Sequence, residues 1–275
     1  TERENLWWKK KTEVEKKYNV KFKHVYASGD WYSTYLSSVM AGSPSADVIC
    51  CKENPMPAIK QGLFYDLGSL DEFDLNESKW IDSVTELGTY NNKQYLALAG
   101  SYEPRNLVLY NKDLFEKYSQ EDLYTLQKQG KLTLDKLVSI AKNITSKTNK
   151  PSIYGGITAF EAHLAFAYAY GGVLVNRTPN TMNFKSQFNT TPVVTGFQKA
   201  QELVNQGVMW GETKTSGWTW VREQFYKGNV PICIDYTLES YFVNSNFDVG
   251  VCMMPNTKGG TVDVYSDTPT FPIIP

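Results

Sequence analysis

The sequence predicts an α/β fold divided into two lobes, and three observations lead to this prediction. At 275 residues the chain exceeds the length of about 250 residues at which single cores stop growing and chains divide. Helix and strand patterns alternate along its first third, as they do in α/β proteins. Near the middle, LVLYNKDLFEK passes from a strand pattern into a helical one without a Gly or Pro loop.

The first lobe opens with a charged amphipathic helix, TERENLWWKKKTEVEKKY. VKFKHVYA alternates apolar and polar residues and predicts a strand. The helical spacing of Tyr32, Leu36 and Val39 predicts a helix that ends at Gly42. The apolar stretch ADVICC predicts a buried strand and AIKQGLFYDL a short helix. KQYLALAG predicts another strand after the turn Asn91-Asn92.

At the central junction, LVLY predicts a buried strand and the residues after it predict a helix. Asn111 can cap that helix with its side chain, and Asp113 places a negative charge in the first helical turn. An ordinary strand-to-helix connection would have the same local pattern, so the junction alone does not identify a crossing between lobes.

Helical patterns dominate beyond the junction. TLDKLVSIAKNIT predicts a helix capped by Thr133, and FEAHLAFAYAYGG predicts a buried one. TPVVTGFQKAQELVNQG predicts a helix with Thr191 as N-cap, Pro192 at the first helical position and Gly207 after its end. WVREQFYKG predicts a short helix and NVPICIDY a strand.

Composition and motifs exclude several function classes. The net charge of −1 argues against a nucleic-acid surface, which is usually strongly basic. No GxSxG, P-loop or dinucleotide fingerprint occurs, and the four cysteines show no metal-ligand spacing. No apolar run approaches the roughly 18 residues of a membrane span. The aromatic content of 14% exceeds what is usual, and Tyr and Trp surfaces suit ligand clefts as well as cores.

Several segments, in order, resemble the extracellular solute-binding proteins of ABC transporters, in the sugar-binding family that includes maltose-binding protein. They are YLSSVMAGSPSADVI, QGLFYDL, YNNKQYLAL, YNKDLF, GGVLVN, FQKAQELVNQGVM, FYKGNVPICIDY and VGVCMMP. YNKDLF matches the family's crossover segment almost letter for letter, whereas Ala46 stands where a Pro is common. Together these segments span nearly the whole chain.

The resemblance implies a two-lobed fold like that of periplasmic binding proteins, with the ligand cleft between the lobes. It assigns about residues 1–109 plus 265–275 to the first lobe and 110–264 to the second. It implies capture of a mono- or oligosaccharide, delivery to a membrane ABC permease, a monomer, no catalysis and no cofactor. It also implies export, with a lipid anchor on the extracellular side of the membrane. Members of the family continue beyond a segment like TPTFPIIP, so the resemblance implies that the first lobe is incomplete in this chain.

Candidate ligand-binding residues lie where strands end or where the lobes meet. Trp218 and Trp220 occupy alternate positions before a predicted helix, so one is expected to face the cleft and the other to pack. Asp235 and Tyr236 lie where a predicted strand ends, and the end of this strand resembles a ligand-pocket loop of the family. The remaining candidates precede the crossing strand, follow the ADVICC strand or begin a second-lobe helix: Tyr102, Glu103, Arg105, Lys52, Glu53, Asn54 and Glu161.

Two alternatives remain open. A carboxylate pair near Glu103 and Asp235 could hydrolyse a glycoside. A surface binding protein without a role in transport would need no cleft at all. Purely structural roles also remain open for single residues. Asp235 could be a turn residue, Trp218 and Trp220 could be core residues, and Glu103 could form a surface ion pair with Arg105.

Overall fold

A computed structural model describes residues 2–25, 31–51, 55–71, 73–100, 106–148, 156–159, 161–211, 217–235, 242, 244–262 and 271–273. Its helices are α1 (Glu2–Tyr18), α2 (Trp31–Met40), α3 (Met56–Lys60), α4 (Asp82–Gly88), α5 (Lys112–Lys117), α6 (Leu123–Lys128), α7 (Leu134–Lys147), α8 (Ala162–Ala169), α9 (Thr191–Asn205) and α10 (Gly217–Tyr226). Its strands are β1 (Ile49–Cys51), β2 (Thr89–Tyr90), β3 (Lys93–Gln94), β4 (Leu107–Asn111), β5 (Ile157–Ala159), β6 (Val175–Arg177), β7 (Phe184–Ser186), β8 (Met209–Gly211), β9 (Ile232–Asp235), β10 (Val249–Met253) and β11 (Phe271–Ile273).

The first lobe has its own apolar core, built from residues between Tyr35 and Leu96. Helices α2, α3 and α4 contribute to this core, and β1 pairs antiparallel with β11 from the end of the chain. Ile49 lies opposite Ile273 in that pair. The end of the chain therefore returns to the first lobe.

The second lobe is built on a five-stranded mixed sheet in the order β10-β4-β9-β5-β8. One face carries Tyr110, Ile157 and Ile234 and is covered by helices α6 to α9. The other face carries Leu107, Leu109 and Cys233 and is covered by α10 through Phe225 and Trp220. Strand β4 is buried at all five positions, as expected for a strand packed on both faces.

The central junction folds as its sequence predicts. Strand β4 runs directly into α5, and the side chain of Asn111 caps this helix by accepting a hydrogen bond from the backbone N–H of Leu114 at 3.0 Å. The cap satisfies an N–H group that has no partner within the helix. The chain can therefore change from strand to helix without a loop.

One glycine permits a close contact inside the sheet. Gly250 on β10 pairs with Tyr110 on β4, and a Cβ atom at Gly250 would lie 2.1 Å from Cζ of the Tyr110 ring. The ring is fully buried, and its hydroxyl donates a hydrogen bond to the Asp122 carboxylate. Burial and this bond raise the pKa of Tyr110.

The α/β class and the two-lobed fold are confirmed, as is the helix capped by Thr133. Three local predictions need correction. Residues 20–25 of VKFKHVYA form no strand in the structure, and the rest of that stretch lies outside the described residues. In KQYLALAG only Lys93–Gln94 belong to a strand. The N-cap of α9 is Thr190 rather than Thr191.

The division of the chain between the lobes stays a prediction. The predicted boundary between residues 109 and 110 falls inside β4, which lies in the five-stranded sheet over its whole length.

Among the described residues, no helix combines the length and the apolar character needed to cross a membrane.

Candidate functional site

Three parallel strands end together at one edge of the five-stranded sheet. Ala159 at the end of β5 pairs with Gly211 at the end of β8 and with Ile234 on β9, one residue before that strand ends. Ligands of open α/β sheets gather at the carboxyl ends of parallel strands. We refer to this side of the sheet, marked by Ala159, Gly211 and Asp235, as the carboxyl edge.

The antiparallel strands bring two further chain segments to the carboxyl edge. Leu107, the first residue of β4, pairs with Asp235 on β9 and with Met253 at the end of β10. The chain therefore enters β4 and leaves β10 at this edge. Most of the predicted ligand-binding residues are close in sequence to one of these strand ends.

Several candidates lie outside the described residues, and their predicted roles stay predictions. They are Tyr102, Glu103 and Arg105, which come shortly before β4, Tyr236, which follows β9, and Lys52, Glu53 and Asn54, which follow β1. The segment with Tyr102, Glu103 and Arg105 leads into β4, and the segment with Tyr236 follows β9, both at the carboxyl edge. The segment with Lys52, Glu53 and Asn54 follows β1, which belongs to the β1–β11 pair of the first lobe.

Asp235 forms a buried ion pair. Asp235 is 2% exposed. Its two carboxylate oxygens accept hydrogen bonds from Nε and Nη2 of Arg222 at 2.6 and 3.1 Å. Arg222 belongs to α10, so the pair joins this helix to the carboxyl edge. Sequence reasoning did not select Arg222, although an Arg facing a strand-end Asp is a suitable bidentate partner.

Trp220 is half-buried and packs against the apolar cluster of Leu107, Leu109, Cys233 and Phe225 on the sheet face that α10 covers. Its ring centroid lies 5.4 Å from that of Trp210 on β8, and the two ring planes are inclined by 37°. Trp210 is 37% exposed and precedes Gly211 at the carboxyl edge. An aromatic pair therefore stands beside this edge, with one ring accessible.

The expected setting of the two predicted tryptophans was wrong. Helix α10 begins at Gly217, so Trp218 and Trp220 lie inside a helix rather than in an extended segment before one. Positions two residues apart on a helix are separated by about 200° around its axis, so positions 218 and 220 lie on different sides of α10. The side chain of Trp218 lies outside the described residues.

Two non-glycine residues at the carboxyl edge adopt left-handed backbone conformations. Glu161, the N-cap of α8, has φ of 53° and makes no side-chain capping bond. Asn106, immediately before β4, has φ of 56° and is buried. Such conformations cluster at functional sites. Asn tolerates them better than most residues, and that is the sequence signal that would have identified Asn106.

Metal binding has no support in the described part of the chain, where no group of three or more His, Cys, Asp and Glu side chains is placed to hold a metal ion. Cys233 and Cys252 are buried, and burial raises the pKa of the Cys252 thiol to about 12. They behave as small apolar side chains of the sheet.

Comparison with known proteins identifies relatives over nearly the whole chain. The model of the family described as bacterial extracellular solute-binding protein matches residues 2–272. A search of curated proteins finds no match.

Solved structures share the fold at low identity. The GacH receptor of Streptomyces glaucescens, described in complex with acarbose, is 18% identical, with a TM-score of 0.66 over 98% of this chain and 68% of its own. A cyclo/maltodextrin-binding protein with maltotetraose is 19% identical, with a TM-score of 0.66 over 96% and 64%. A solute-binding protein of Agrobacterium vitis with D-mannitol is 21% identical, with a TM-score of 0.57 over 98% and 65%. The chain thus spans about two thirds of the length of these proteins.

Proposed function

The chain belongs to the bacterial extracellular solute-binding proteins, and on this premise we propose that it captures a mono- or oligosaccharide for an ABC importer. The observation that carries the sugar proposal is the accessible Trp210–Trp220 pair beside the carboxyl edge. Flat aromatic faces suit the apolar face of a pyranose ring, and polar groups at strand ends suit its hydroxyls. Three structures of the same fold were described with acarbose, maltotetraose or mannitol.

The proposed cleft lies between a first lobe of about residues 1–109 plus 265–275 and a second lobe of 110–264. The Trp210–Trp220 pair and Tyr236 form the wall on the second lobe. The facing groups come from the segment around Tyr102 and from the segment around Glu53. Closure of the two lobes brings these walls together around the solute.

The proposed partner is a membrane permease, and the proposed location is the extracellular side of the membrane, held by a lipid anchor. The protein works as a monomer and does not bind nucleic acid. Hydrolysis is disfavoured because both oxygens of Asp235, one member of the carboxylate pair considered from sequence, accept hydrogen bonds from Arg222.

A thermal-shift screen tests the proposed function. Maltotetraose, maltose, raffinose, mannitol and glucose are each added to the protein, and the melting temperature is followed as ligand concentration rises. A solute that binds the folded state raises the melting temperature in a saturable way. We expect at least one carbohydrate to do so, and chromatography after prolonged incubation to find it unchanged. A panel without any shift would contradict sugar binding, and product formation would favour the hydrolase.

A further inference from the structure

A β-hairpin from the second-lobe part of the sequence is bound to the first lobe. Strands β6 and β7 form this hairpin, which spans residues 175–186 and pairs Val175 with Ser186. It follows Gly171 and Gly172 at the end of α8 and precedes α9. Among the described residues, the hairpin forms hydrogen bonds with α4, with β2 and with the turn before β3, all distant in sequence.

Arg177 makes the main contact. Its guanidinium donates hydrogen bonds to the backbone carbonyls of Glu86 (3.2 Å), Leu87 and Thr89 (2.6 Å), and to that of Thr181 within the hairpin (2.7 Å). Glu86 and Leu87 lie in the last turn of α4, where carbonyl groups lack the usual partner four residues further on. The Glu86 carbonyl also accepts a hydrogen bond from the backbone N–H of Thr89. A cation at a helix C-terminus also interacts favourably with the helix dipole. Arg177 therefore caps a first-lobe helix from outside that lobe.

The hairpin tip makes the second contact. The Asn180 side chain accepts a hydrogen bond from the backbone N–H of Asn92 at 2.7 Å and donates one to the Asn92 side chain at 2.6 Å. The backbone N–H of Asn91 donates to the Asn180 carbonyl at 3.3 Å. All three asparagines have positive φ, so two tight turns meet tip to tip.

Packing adds a third contact on the same side. Met182 is partly buried against the first-lobe core. By contrast, Val175 and Phe184 on the hairpin strands are exposed. At the start of the hairpin segment, Gly171 has φ of 80°, a conformation that glycine adopts at no steric cost. The hairpin is thus held at its tip by the first lobe, and its connection to α8 runs through two glycines.

We propose that the hairpin 175–186 connects the two lobes in addition to the two chain crossings, near residues 109–110 and 264–265. We propose further that the hairpin stays bound to the first lobe when the second lobe moves. Arg177 is its positioning residue. Releasing the hairpin would break three hydrogen bonds from Arg177 to first-lobe carbonyls, whereas the Gly171-Gly172 connection can absorb a change in backbone angles. The role in closure rests on the proposed function, but the attachment to the first lobe does not.

Hydrogen–deuterium exchange on the intact chain tests the attachment. In Arg177→Ala, we expect exchange in residues 82–95 and 175–186 to accelerate about tenfold or more, while exchange in α9 keeps the wild-type rate. Lys185→Ala, an exposed change on the same hairpin, serves as the control and should alter neither region. Wild-type exchange over 82–95 in Arg177→Ala, or acceleration that extends to α9, would overturn the proposal. If Arg177→Ala does not fold, Asn180→Ala should show the same pattern more weakly.

A disulfide between Asn92→Cys and Asn180→Cys tests the behaviour in closure. If the hairpin stays bound, oxidised and reduced forms should bind maltotetraose with affinities within about threefold of each other. A loss beyond about tenfold on oxidation, reversed by reductant, would show that this contact opens when the ligand binds, and would overturn the proposal. Failure of the wild-type chain to bind any carbohydrate of the panel would refute the proposed function, whereas hydrogen exchange would still decide the attachment.

Discussion

Replacing Arg222 with Ala is expected to lower the free energy of unfolding by about 3 to 5 kcal/mol, because it leaves the carboxylate of Asp235 buried without its cation. The two side chains are 13% and 1% exposed, so the carboxylate has little contact with water to offset the lost hydrogen bonds. Urea unfolding, followed by tryptophan fluorescence, measures this loss.

A neighbouring ion pair at the end of the same helix, between Glu223 in α10 and Lys227 just after it, provides the control. Glu223 and Lys227 lie 3.2 Å apart with side chains 48% and 59% exposed, and Glu223→Ala should cost less than about 1 kcal/mol. Arg222→Lys keeps the positive charge but cannot form the bidentate pair with Asp235. Its loss of unfolding free energy should therefore lie between those of Arg222→Ala and Glu223→Ala. Equal losses in Arg222→Ala and Glu223→Ala would show that the pair at the carboxyl edge is not a stabilising contact.

Substituting Gly250 with Ala should cost at least about 3 kcal/mol, at the upper end of the usual range for overpacked cores. The new methyl group would overlap the Tyr110 ring, which is fully buried between β10 and the helices. The ring cannot move away without losing the hydrogen bond from its hydroxyl to Asp122. Thermal and urea unfolding of the purified variant measure the effect.

Gly62→Ala is the matched control for this change. Gly62 has φ of 71°, and a Cβ atom there would meet no atom within 4 Å. Its substitution should therefore cost only the backbone strain of about 1 to 2 kcal/mol. If Gly250→Ala were no more destabilising than Gly62→Ala, the close contact between β10 and the Tyr110 ring would be refuted.

Local chemistry made much of the fold predictable. Asn111 and Thr133 cap helices through their own side chains, and this preference depends on only a few neighbouring residues. Gly42 and Gly207 follow helices in left-handed conformations, which glycine adopts more readily than other residues. The order of family-like segments then supplied the two-lobed arrangement, which no single local pattern contains.

Predictions that depended on distant partners were less successful. Residues 20–25 carry a strand pattern, yet a strand also needs a neighbouring strand, and none pairs with them among the described residues. The partner of Asp235 is Arg222 on α10, a contact that the sequence alone does not define. The hairpin 175–186 was also missed: Pro179 and Asn180 are turn residues, but the strands VNR and FKS on either side carry only one apolar residue each.

The measurement that tests the central claim most directly is a calorimetric titration of the best carbohydrate from the thermal-shift panel into wild-type protein, Tyr236→Ala and Tyr124→Ala. Tyr236 follows β9 at the carboxyl edge, whereas Tyr124 is an exposed residue of α6. If the solute binds at the carboxyl edge, Tyr236→Ala should weaken its affinity by roughly tenfold or more with little change in melting temperature, by analogy with bases stacked on aromatic rings. Tyr124→Ala should bind like the wild type. Unchanged affinity in Tyr236→Ala, or no saturable binding by the wild-type protein, would contradict the account.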